Sequence, residues 1–350
     1  MVALLLAASL AVATSLVGTK LLIDWLIAIK VGQPIHEDVP LGHTVKAGTP
    51  TMGGLAIVGA ALIGYLAAHV RSGLVFTRTG VLVMACISGA ALVGLLDDWI
   101  KVRNERNLGL SKGAKTAGLL LVAAGFAVAT VLWTDVETTL SFTRWNYPGI
   151  ELGSVGWCIW AALLIYATSN GVNLSDGLDG LAAGSGIFAF TCLMVIGFWG
   201  FRNGDVYQIN HALDIAVVAA AMIGGCAGFL WWNAAPARIF MGDTGALAIG
   251  AGLAALSLTL NVQLLLPIVG ALYVSETVSV ILQVGSFRIF KRRIFRMAPI
   301  HHHFELGGWP ETTVIIRFWL LSGMCAALAL GLYYADFIQY TERLHLRGLR

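Results

Sequence analysis

An all-α polytopic membrane protein is the fold class the sequence predicts, and three observations predict it. Apolar side chains make up 58% of the 350 residues and charged ones only 12%, about half the charged share of soluble domains. Apolar windows long enough for a helix to cross the hydrocarbon core, which takes about 20 residues, recur about ten times. Most of the remaining charge gathers between the windows.

The windows fall at residues 4–29, 52–70, 78–96, 115–133, 155–172, 180–200, 212–232, 244–260, 262–285 and 313–335. The first is apolar from its start and lacks a basic leader, so it reads as a retained span and not a cleaved signal. The stretch 244–285 is divided at Asn261. At 134–154, a partly alternating run from Glu137 to Arg144 precedes a turn signal, Asn146 to Gly149, so a small external β-hairpin is expected. With no repeat, low-complexity tract or soluble segment between the windows, residues 1–350 read as a single integral membrane catalytic domain. Cys86, Cys158, Cys192, Cys226 and Cys325 lie inside windows and form no CxxC pair, which argues against a disulfide framework or a zinc site. A net charge of +3 without a basic stripe excludes nucleic acid as a partner.

Ten crossings sort the connections into two sets. One holds 30–51, 97–114, 173–179, 233–243 and 286–312. The other holds 71–77, 134–154, 201–211, the turn near 261 and both termini. The first set carries roughly twice as many Lys and Arg, which places it in the cytoplasm by the positive-inside rule and both termini outside.

Charge at the edge of a bilayer is costly unless solvated, paired or bound to an ion, so acidic clusters that end apolar helices point to function. Four occur, all in the first set. Asp97 and Asp98, followed by Lys101 and then Lys112 and Lys115, suit magnesium or pyrophosphate chemistry, since Mg²⁺ takes one or two carboxylates and completes its shell with water and phosphate oxygens; a solvated helix end is the plain alternative. Asn170, Asn173, Asp176 and Asp179 recur every three residues among Gly171, Gly177 and Gly180, which permit a break in the helix and close approach of a ligand. The alternative there is a glycine-rich helix contact. Asn233, Arg238, Phe240 and Asp243 flank Pro236 and Gly242, with Asp243 readable as an N-cap. Finally His301, His302 and His303 stand beside Glu305 and Glu311. Consecutive histidines fit one tetrahedral metal poorly, so donation to phosphate oxygens is the better reading. The preceding Arg288, Lys291, Arg292 and Arg293 read as an anchor to anionic headgroups. A weaker stretch, Lys46 to Gly54 with Thr51, resembles an anion cradle at a helix start, though alone it is little more than a turn.

Together, Asp97 with Asp98, Asn170 to Leu181, Asn233 to Gly245 and Ala298 to Phe304 closely resemble the polyprenyl-phosphate N-acetylhexosamine-1-phosphate transferases, over residues from about 30 to 312. The triple histidine, followed by Phe304 and Glu305 and then Trp309 to Glu311, resembles the branch that acts on a muramoyl-pentapeptide. The resemblance implies transfer of phospho-MurNAc-pentapeptide from UDP-MurNAc-pentapeptide to undecaprenyl phosphate, with Mg²⁺ as cofactor, a bacterial plasma membrane location and a homodimer. It further implies Asp243 as metal ligand, and Asp97 and Asp98 at the reacting phosphates, with Asp98 as base or nucleophile. Lys46, Thr51, Lys101 and Lys115 would hold phosphates, while Asn170, Asn173, Asp176 and Asn233 complete a polar floor. Phe240 would stack on uracil with Asp179 at its edge, and His301, His302 and His303 would meet the nucleotide-sugar phosphates with Gln283 nearby. A relative transferring GlcNAc-1-phosphate shares the acidic motifs and differs in the histidine loop.

The residues alone also admit two other classes. An ion-coupled transporter also carries acids in broken helices, but there they sit near the midplane of two related halves, whereas here they end helices on one side. An intramembrane aspartyl protease is suggested only by Met241 to Asp243 and lacks a second Tyr-Asp motif.

Overall fold

The computed structural model describes residues 1–29, 48–104 and 108–346. In chain order the elements are α1 (Val2–Ala28), α2 (Gly54–Ser72), α3 (Arg78–Arg103), α4 (Lys112–Trp133), β1 (Thr139–Arg144), β2 (Tyr147–Glu151), α5 (Gly153–Ser175), α6 (Leu181–Arg202), α7 (Gly204–Tyr207), α8 (Ala212–Asn233), α9 (Gly242–Thr259), α10 (Leu266–Val269), α11 (Ala271–Phe290), α12 (Ile300–Glu305) and α13 (Glu311–Leu346). Among the described residues, α1 to α6, α8 and α13 are long and apolar enough to cross a membrane. This is an all-α polytopic membrane protein with one small sheet.

The two windows outside that set, 244–260 and 262–285, become α9 and α11, which carry Asp243 and Glu276. The division at Asn261 is present, but the second window starts late. Gln263 is drawn off to the hairpin, where its Oε1 accepts from Ser141 N at 3.0 Å and its Nε2 donates to Thr139 O at 3.2 Å. Residues 262–270 are therefore spent on a turn and the short α10, which holds Pro267 in its first turn.

At the centre stands α9, buried along its length from Asp243 to Thr259 and packed against α3, α5 and α2. Lipid gives helices little hydrophobic reason to associate, so close packing of small residues must hold them. Gly54 of α2 and Gly94 of α3 supply it: a Cβ on the first would overlap the Gly245 backbone, and on the second the Asp243 backbone. These contacts pull the first turn of α9 onto α2 and α3, and that turn carries Asp243.

The expected hairpin lies at the opposite end of the bundle, with β1 and β2 antiparallel and Thr139 paired to Glu151. It is clamped to α13. That helix is 36 residues long, about 54 Å at 1.5 Å per residue, and so outruns a hydrocarbon core of about 30 Å. Its far portion offers Asp336, whose Oδ2 accepts from Arg144 Nε at 2.7 Å and whose Oδ1 accepts from Arg144 Nη2 at 2.9 Å. Tyr340 stacks under the guanidinium at 3.9 Å, and Thr143 Oγ1 adds a bond to Asp336 at 2.6 Å.

Candidate active site

The site forms where α3, α4, α5 and α9 end together. Asp97 and Asp98 occupy the last turns of α3, both buried. Asp243, also buried, opens α9. Lys101, one turn beyond Asp97, places its Nζ 2.6 Å from Asp97 Oδ2, 2.6 Å from Asp243 Oδ2 and 3.6 Å from Asp98 Oδ1. Lys115 reaches Asp243 Oδ2 from the start of α4 at 2.8 Å. Three carboxylates so close repel one another, and the two ammonium groups hold them together.

Each carboxylate is held differently. Asp98 caps α9: Oδ1 accepts from Asp243 N at 3.1 Å, while Oδ2 accepts from Thr244 N at 3.0 Å and Thr244 Oγ1 at 2.7 Å. Negative charge at a helix N-terminus is favourable. Asp97 Oδ1 accepts from Leu110 N at 2.9 Å, fixing the chain that leads into α4. Asp243 bonds the two lysines.

The segment at 50–54 is laid against this turn by backbone bonds, Phe240 N to Pro50 O at 2.8 Å and Gly53 N to Phe240 O at 2.9 Å. Thr51 is thereby buried beside Gly242, whose φ of +71° is open to glycine at little cost. Lys46 lies outside the described residues.

Asn170 and Asn173 lie on the last turns of α5, where Asn170 Nδ2 donates to Tyr166 O at 2.8 Å. The helix stops at Asp176, so the three-residue series breaks at its glycines as expected. Asp176 keeps part of its surface accessible, yet burial, then the charge of Asp243, Asp98 and Asp179, pushes its carboxyl well above the usual range against a bond from Gly242 N–H. Asp179 Oδ2 accepts from Ala237 N at 2.9 Å, which ties the second cluster to the loop carrying Phe240. Asn233 donates to Ile239 O at 2.9 Å, and its buried Oδ1 has no partner among the described residues. An orphan acceptor in such a place calls for a ligand or water.

The histidines divide. His301 is fully buried, 3.1 Å from Glu276 Oε2 through Nδ1, and its Nε2 faces Gly177, where any side chain would strike the ring. Among the described residues that Nε2 has no hydrogen-bond partner. His302 Nδ1 lies 2.7 Å from Glu305 Oε2. His303 turns away to accept from Arg296 N at 3.1 Å. Gln283 is committed to its own loop: Oε1 accepts from Ile294 N and Phe295 N, each at 3.0 Å, and Nε2 donates to Phe295 O at 3.0 Å.

Two groups with roles here were not singled out from the sequence, Glu276 and Thr244, while Glu305 and Glu311, named there beside the histidines, pair with His302 and accept from Asp179 N. A signal existed for Glu276, an acid inside an apolar window. For Thr244 there was none.

Asp97, Asp98 and Asp243 each offer an oxygen within 4.8 Å of the others, an all-oxygen set that fits a hard divalent cation and not a soft one. Residues 80–261 match the model of glycosyl transferase family 4, and residues 46–58 match signature 1 of the phospho-N-acetylmuramoyl-pentapeptide-transferases. Proteins of that name from Frankia alni, Streptomyces griseus and Thermobifida fusca are 47%, 46% and 46% identical to this chain, over 96%, 95% and 97% of it and 98%, 98% and 99% of their own lengths. The chain belongs to the phospho-N-acetylmuramoyl-pentapeptide-transferase family. The match to glycosyl transferase family 4 runs from the start of α3 to the end of α9 and so includes Asp97, Asp98, Asp176, Asp179, Asn233 and Asp243. The histidine loop lies beyond it but within the span of the full-length relatives.

Proposed function

We propose that this protein transfers phospho-MurNAc-pentapeptide from UDP-MurNAc-pentapeptide to undecaprenyl phosphate, giving lipid I and UMP, the first membrane step of peptidoglycan synthesis. The observation that carries the reading is the convergence of Asp97, Asp98 and Asp243 with Lys101 and Lys115, in a chain whose full-length relatives bear the transferase's name. Two anionic phosphates must meet for the reaction to occur. Lys101 and Lys115 lower their repulsion, Thr51 contributes from the segment laid against α9, and Lys46 is given a phosphate by the family resemblance alone.

Asp243 would hold Mg²⁺ with Asp97 and Asp98 beside it, and the ion would neutralise phosphate charge as the β-phosphate transfers. Both oxygens of Asp98 accept hydrogen bonds from the first turn of α9, which aligns that turn and Asp243 with it. Asp98 is therefore assigned to positioning Asp243 and taking any proton on the acceptor phosphate, whose oxygen attacks the β-phosphate directly as the bond to UMP breaks. Asn170, Asn173, Asp176 and Asn233 form the polar floor, Phe240 stacks on uracil with Asp179 at its edge, and His301 and His302 meet the donor's phosphates. The apolar groove between α5 and α11, lined by Leu164, Thr168, Tyr273 and Val278, gives the lipid acceptor a way in from the bilayer. In this reading the site faces the cytoplasm.

Purified protein given UDP-MurNAc-pentapeptide and undecaprenyl phosphate should release UMP, and chelation of divalent metal should stop it. Asp243→Ala should lower the rate by about a hundredfold or more. UDP-GlcNAc should give no product. Equal turnover of UDP-GlcNAc, or full activity in both Asp98→Ala and Asp243→Ala, would overturn the reading.

A further inference from the structure

Beside the histidine loop is a cavity of about 600 Å³ that the reaction as described does not use, and Arg288, Arg293 and Arg296 line it. A guanidinium offers a fixed fork of donors that matches a carboxylate or phosphate. Three around one cavity repel one another unless an anion joins them. Phe287, Met297 and Leu306 make the remaining wall partly apolar.

The cavity is built by specific bonds. Gln283 spends its amide holding residues 294 and 295, and Arg296 is fixed by Nη1 to Leu306 O and by N to His303 Nδ1. It also lies close to the candidate active site. Ala298 lines the cavity and His301 touches Gly177, and three residues of chain span at most about 11 Å.

We propose that this cavity is the recognition site for the terminal carboxylate of the donor's peptide, an inference that rests on the muramoyl-pentapeptide reading above. A five-residue peptide extends at most about 18 Å, so from a sugar held at the phosphates its end is within reach of this cavity. The mixed lining suits a peptide, whose carboxylate meets the arginines while its side chains meet Phe287 and Met297. The arginines then select for the peptide, while the acids and lysines act on the phosphates.

The test pairs two donors with three proteins. UDP-MurNAc-pentapeptide and its C-terminal amide are titrated by calorimetry into wild type, Arg293→Gln and Arg288→Gln, with UMP release followed in parallel. Both arginines are exposed, so the variants should fold, and unchanged melting temperatures check that. Wild type should bind the acid more tightly than the amide by about three- to tenfold, a range typical of charge-assisted pairs, and the variants should lose that preference. Equal weakening of both donors, or no weakening, overturns the proposal. Repeating the assay in phosphatidylcholine and phosphatidylglycerol vesicles separates the other anion source: a loss that follows lipid composition and not the donor's terminus would make the arginines a headgroup anchor and also overturn it. If wild type releases no UMP from either donor, the function itself has failed. If it releases UMP without acid–amide discrimination, only the peptide site has.

Discussion

Asp176 shows what the site costs the fold. Its carboxyl is pushed above the usual range by burial and by the neighbouring Asp243, Asp98 and Asp179. Below the unfolded value of about 3.9 it is protonated in both states and carries no penalty. As pH rises toward the folded value, the unfolded chain ionises first and the native state loses stability. Asp176→Asn should therefore raise the melting temperature of the metal-free protein at pH 8, with a gain that shrinks toward pH 4, while activity falls. A gain equal at both pH values would show that the substitution acts through packing. Glu276 is the second case, a fully buried acid against a fully buried His301. If its role is to set which ring nitrogen of His301 faces Gly177, Glu276→Gln should cut kcat about tenfold or more and leave KM nearly unchanged, and Glu276→Asp should recover part of the loss. Unchanged kcat in the Gln variant would reduce the pair to a structural contact.

Among elements, helices were more legible than their ends. The apolar windows located the long helices because twenty apolar residues in a row have few alternatives in lipid. The short α7, α10 and α12 carry no such signal. The late start of α11 depends on Gln263 bonding a strand more than a hundred residues away, which no local pattern reports. The hairpin was legible as a turn, but its attachment was not: Arg144 and Asp336 are far apart in sequence and meet only because α13 runs on as far as the hairpin. That clamp gives an element-scale prediction. Asp336→Ala leaves a nearly buried guanidinium without its bidentate partner and should cost about 1–3 kcal/mol, read as a lower melting temperature with kcat unchanged. Loss of activity at a temperature where the variant stays folded would mean that the hairpin is coupled to the site.

For the whole molecule, site membership was legible where geometry was not. Sorting the connections by charge put Asp97, Asp176, Asp243 and His301 in one set, and these are residues that the fold joins through Lys101, Gly242 and Gly177. Asp98 as the cap of α9, and Gln283 as the staple of its own loop, needed distances that sequence spacing does not carry. The orientation we propose in the membrane rests on the same sorting. The ends of the bundle differ in chemistry: one has the acids, lysines and arginine-lined cavity, the other the hairpin and the turns at 73–77 and 203–211. A charge excess of this kind would keep the basic end in the cytoplasm during insertion, the orientation we propose. Single cysteines replacing exposed Lys112 and Arg292 should react with an impermeant maleimide only from the cytoplasmic face, and cysteines replacing exposed Arg71 and Gln208 only from the outside. The native cysteines are buried or half-buried, so background labelling should be low. Labelling of positions 112 and 292 from opposite faces would divide the basic end between two compartments, and neither donor nor metal could then reach all of its parts from one side.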